Sequence, residues 1–189
     1  MKWQHRIIIV LGLVIMTGCG GGAPTVFLHP EFDFSYVEKV SVVPFENLTT
    51  EQGGGARATR FFTAELLASG AFSVIEPGEV TRVLADHGLV RTAQLTTEQI
   101  ISIGEDLNVQ GLFLGTINES SAMRSGSTTV SVISVVIRLV ETDTGATVWS
   151  ASNSSDSSTF WSSIFGSKQQ SKSEVLRACL DDCLDTLLD

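Results

Sequence analysis

The stretch Val130–Ser152, VSVISVVIRLVETDTGATVWSAS, decides the fold. It is rich in β-branched residues on both sides of Asp143-Thr144-Gly145, a tight-turn signal. It therefore reads as two strands joined in a hairpin. Just upstream, Gln110–Ile117 (QGLFLGTI) is apolar on both faces, which suits a central strand covered by two layers. Between them Asn118–Thr129, NESSAMRSGSTT, reads as a polar connection.

Further out, the period changes from two to 3.6. Residues 95–109 contain a helix with Ile100, Ile103 and Leu107 on one face, opened by a capping box of Thr96 and Gln99. GEVTRVLADHG reads as a short helix using Val80, Val83 and Leu84 and ended by Gly88. ARATRFFTAELLASG reads as a helix with Ala58, Phe61, Phe62 and Leu66 inward and Gly70 just past its end. FSVIEP and VEKVSVVPF read as strands, the latter stopped by Pro44, with ENLTTEQGGG as the loop after it. The last element, residues 174–189, places Val175, Leu176, Cys179, Leu180, Cys183, Leu184, Leu187 and Leu188 on one stripe. The order β-α-β-α-α-β-β-β-α predicts an α/β fold: a single-domain mixed sheet of about five strands flanked by helices.

The N-terminus has another character. MKWQHR is a short basic start, and the apolar run from Ile7 to Met16 is too short to span a bilayer as a helix. Thr17-Gly18-Cys19 follows. Residues 1–18 thus read as a secretory signal peptide, and the small residues before the cysteine resemble a bacterial lipobox, with Cys19 as the lipidated residue. Several acyl chains on one residue suffice for stable membrane anchoring. Residues 19–35 read as a tether, whose Phe27, Leu28, Phe32 and Phe34 point to partial docking, and the domain is expected from 36 to 189.

Within that domain residues 153–173 read as a Ser-rich loop, yet Phe160, Trp161, Ile164 and Phe165 interrupt it. Their spacing of i, i+1, i+4 and i+5 is helical, so they are candidates for contact with the chain's own surface, a partner or a membrane.

The formal net charge of −9 argues against nucleic acid and anionic lipid headgroups as partners. His29 and His87 stand apart, and no G-x-S-x-G occurs. The QGGGAR run lacks the GK[ST] ending of a phosphate loop, so a loop entering a helix is the simpler reading. Asp181-Asp182 read as a solvated helix face. Cys179 and Cys183, four apart on a helix, are about 5–6 Å apart at Cβ, further than a disulfide prefers. They read as two buried thiols, with a strained or intersubunit disulfide as the alternative. No catalytic residue, metal or cofactor is expected.

VEKVSVVPFENLT, TAELLASGAFSVIEPGEVTRVLADHGLVRTAQLT, LNVQGLFLGTI and VIRLVETDTGATVWSAS, in that order, resemble the CsgG-type bacterial outer-membrane lipoproteins. Their relatives of similar layout are PelC, the GNA-type lipoproteins, LpoB and the N-terminal domain of TolB. The resemblance covers about residues 37–152. It implies a TolB-N/CsgG-like domain held by acyl chains at the periplasmic face of the outer membrane, non-catalytic and inclined to form rings. It further implies a protein partner in the envelope and an assembly or transport role in curli-type or polysaccharide-type export. The alternatives are an LpoB-like activator of a peptidoglycan synthase and a channel-forming secretion subunit. In CsgG, membrane hairpins leave at the positions of residues 118–129 and 153–173. Here the first is too polar and, unless VSVISVV extends it, too short; the second does not alternate. No complete barrel is expected.

Overall fold

The computed structural model describes residues 23–125, 128–156 and 171–189. Among these, seven strands form one mixed sheet and four helices pack on its two faces. The strands are β1 (Thr25–Leu28), β2 (Lys39–Val42), β3 (Glu46–Asn47), β4 (Ser73–Val74), β5 (Gly111–Ser125), β6 (Thr128–Glu141) and β7 (Thr147–Asp156). The helices are α1 (Gly54–Ser69), α2 (Pro77–Asp86), α3 (Thr97–Leu107) and α4 (Lys172–Leu188). The spatial order is β1-β7-β6-β5-β2-β4, with β3 also beside β5. β4, β2, β3 and β5 are parallel to one another where they pair, while β5, β6, β7 and β1 are antiparallel.

Alternation along the strands separates two cores. Val40, Val42, Phe113, Ile117, Ile133, Val135, Ile137, Leu139 and Trp149 face α1 and α4. Val43, Leu112, Leu114 and Val140 face α2 and α3. β5 is buried on both faces, as its unbroken apolar run requires. The indole of Trp149 is fully buried, and its Nε1 donates to Thr186 Oγ1 at 3.2 Å, which fixes α4 against the hairpin. Gly145 supplies the positive φ of 73° that the β6–β7 turn needs. The expected capping box of Thr96 with Gln99 forms on α3, and a second box, Ser171 with Glu174, opens α4.

Four expectations are corrected. The sheet has seven strands, not about five. β1 falls inside the expected tether, because Thr25–Leu28 pairs antiparallel with Trp149–Ser152. β3 resumes the course of β2 after Pro44 interrupts it. The polar run 118–129 is no connection either. It extends β5 and β6 into a ribbon whose pairing reaches Ser125↔Thr128, with an irregularity between Ile117 and Glu119. Serine and threonine hold that ribbon because the backbone ladder needs no apolar side chain. Asn118–Ala122 carries one apolar residue, Ala122, while the β6 strand opposite it alternates Val130, Ser131 and Val132. Finally, residues 153–156 continue β7 rather than opening the Ser-rich loop.

Candidate interaction surfaces

Cys19 and the quartet Phe160, Trp161, Ile164 and Phe165 lie outside the described residues. The other residues singled out in the sequence have local roles. His87 Nε2 lies 2.8 Å from Asp106 Oδ2, joining the end of α2 to α3. His29 follows β1, where its backbone N–H donates to the Val148 carbonyl at 2.8 Å. Cys179 and Cys183 are free, fully buried thiols in the α1–α4 core. Burial pushes them up to about 11 and about 12 respectively, so neither is a nucleophile near neutrality. Asp182 accepts from Asn153 Nδ2 at 3.0 Å, and Asp181 is exposed. No cluster of three or more metal-ligating side chains occurs among the described residues.

The glycine run explains itself by packing. Gly53 takes a left-handed conformation (φ 72°) at the start of α1. A Cβ on Gly55 would sit 2.3 Å from the Phe45 carbonyl oxygen, so only glycine lets α1 approach the strand. Just before it, Glu51 collects three donors. Arg57 Nη1 lies 2.6 Å and Lys172 Nζ 3.0 Å from its carboxylate, and Ser120 Oγ also donates to it. Burial of Glu51 raises its pKa, but these donors outweigh that and hold it at about 2. One carboxylate thus joins the α1 loop, the β5 ribbon and the first turn of α4.

Two exposed apolar features stand out on the surface. At one sheet edge, β1 exposes Val26 (39%), Phe27 (48%) and Leu28 (50%). Toward the β2 and β4 side of the sheet, an apolar groove of about 400 Å³ lies between α1 and α2, lined by Pro44, Arg60, Thr63, Ala64, Leu67 and Pro77. A second hollow of about 380 Å³ adjoins it, sharing Pro44 and Thr81 and bordered by the exposed Val90. The salt bridge from Arg91 to Glu46, at 2.8 Å, fastens the loop around that hollow. On the α2–α3 face, Val136 and Arg138 of β6 remain only half-buried, and Arg138 donates to the Ala93 carbonyl at 3.3 Å. No helix among the described residues is long and apolar enough to cross a membrane.

The groove was not legible in the sequence, because its walls come from Pro44, α1 and α2. Only the exposed position of Leu67 on the outer side of α1 hinted at it.

Residues 33–154 match the family model described as peptidoglycan-synthase activator LpoB. No curated protein sequence matches the chain. Among solved structures, a dodecamer of a PelC variant from Paraburkholderia phytofirmans is 19% identical, with a TM-score of 0.60, covering 88% of this chain and 98% of that one. The lipoprotein GNA1162 from Neisseria meningitidis is 18% identical, with a TM-score of 0.59, covering 80% and 98%. The LpoB C-terminal domain from Escherichia coli is 16% identical, with a TM-score of 0.47, covering 77% and 93%. Three of the relatives that the sequence resembles are therefore matched. The likenesses to PelC and GNA1162 establish a shared fold.

Proposed function

Because the chain belongs to the family of the peptidoglycan-synthase activator LpoB, we propose that it is a non-catalytic envelope protein that binds a peptidoglycan synthase and raises its activity. The family match over residues 33–154 carries this reading. The exposed apolar edge and the groove support it, since they suit protein contact. The test adds the purified protein to a peptidoglycan synthase of the same organism and follows glycan polymerisation. The expected result is saturable binding with a several-fold rise in rate. Absence of binding together with an unchanged rate would sink the reading.

A second reading is a self-assembling component of an envelope export system, anchored at the periplasmic face of the outer membrane through Cys19. The likeness to PelC, solved as a dodecamer and covered over 98% of its length, favours it. In this reading Phe160, Trp161, Ile164 and Phe165 contribute contact with a partner or the membrane. Native mass measurement of the protein extracted in detergent is expected to give a multimer, and Cys19→Ala is expected to release the protein from the membrane fraction. A monomer at every concentration argues against assembly; a membrane-bound Cys19→Ala argues against the anchor.

A further inference from the structure

Two exposed features have no partner among the described residues, and they lie far apart across one sheet. The first is β1. Among the described residues it pairs with β7 on one side only, so its other side has no described strand partner beside Val26, Phe27 and Leu28. An exposed apolar edge of this kind invites another chain. Glu31 follows three residues after Leu28, exposed and with no ion pair among the described residues.

The second is the groove between α1 and α2. Its lining is largely apolar, and Leu67 at its wall is 58% exposed. Arg57, Arg82, Arg91 and Arg177 each pair with a carboxylate, whereas Arg60 at the groove pairs with none among the described residues. In an acidic chain, an unpaired arginine beside an apolar groove selects a ligand that is apolar and carries a nearby carboxylate. β1 followed by Glu31 has that composition.

The two features cannot meet within one molecule. β1 is an edge strand, and the groove's Pro44 follows β2, four strand spacings or about 19 Å away across the sheet. Between molecules they can, and the contact is then head to tail, which closes into a ring wherever its rotation permits.

We propose that the α1–α2 groove receives the β1 edge of a second copy of this chain, with Arg60 pairing with Glu31 of that copy. The proposal rests on the self-assembly reading above and supplies its interface. It does not depend on synthase activation.

The test is native mass spectrometry of the full lipidated protein in detergent, on wild type and four single variants plus one double. Leu67→Asp, Phe27→Asp, Arg60→Glu and Glu31→Arg each alter an exposed side chain, so an unchanged melting temperature confirms the fold. Each single variant is expected to raise the dissociation constant at least tenfold, and Arg60→Glu with Glu31→Arg to restore the wild-type assembly. A wild-type multimer that survives Leu67→Asp and Arg60→Glu overturns this interface and leaves self-assembly standing. Dissociation by Leu67→Asp but not by Phe27→Asp means another segment, such as Phe160–Phe165, fills the groove, and overturns β1 as occupant. Failure of the double variant to reassemble overturns the Arg60–Glu31 pair. A monomeric wild type overturns the proposal together with the reading beneath it.

Discussion

At the scale of the residue, Gly55 sets how closely the first helix approaches the sheet. Any side chain there collides with the backbone carbonyl of Phe45, which cannot swing aside as a flexible side chain would. Gly55→Ala is therefore expected to cost about 1–3 kcal/mol, the usual penalty of overpacking, measured as a lower urea midpoint with an unchanged slope. Gly70→Ala meets no neighbour, but its φ of 66° makes the strain conformational. The glycine run was visible in the sequence, while its reason was not. A triple glycine before a helix is compatible with an anion loop, a flexible joint or a close approach. Only the position of the Phe45 carbonyl distinguishes them. The cysteines were more legible, because i and i+4 on an apolar helical stripe already places both thiols in a core.

Among elements, the Glu51 cluster is the joint that holds loop, ribbon and last helix together. Its folded-state pKa lies below the ordinary value of 4.5. Its contribution to stability is thus fully present above about pH 5 and is lost as pH falls toward 2. Glu51→Gln is expected to lower stability by about 2–3 kcal/mol at pH 7. The difference from wild type should shrink through the acid range and vanish near pH 2, as read from denaturant midpoints at successive pH values. A difference that is constant with pH would show that packing, not charge, holds the joint. The ribbon that Glu51 touches was hidden in the sequence for a physical reason. Its β5 part, Asn118–Ala122, is polar apart from Ala122 and is recognised only by its backbone pairing with β6. The helices were legible because each buries a stripe at the helical period and carries its own start signal. β1 was hidden because Pro24 and Pro30 bracket a run of four residues, whose partner strand is over a hundred residues away.

For the molecule as a whole, that distant pairing means that a chain begun at Tyr36, where the domain looks complete from sequence, lacks the strand covering β7. The open β7 edge would then be free to pair with other chains. A protein beginning at Tyr36 is expected to aggregate in light scattering at concentrations where one beginning at Ala23 stays of defined mass. Equal behaviour of the two would mean that β1 protects nothing.

The same pairing has a consequence in time. Thr25 finds its partner only when Ser152 exists, so a chain emerging N-terminus first cannot place β1 until most of its length has followed. Closing so long a loop is entropically slow. The first residues are thus the last to be locked down, and whatever enzyme must act near the N-terminus meets an extended chain for as long as β7 is missing.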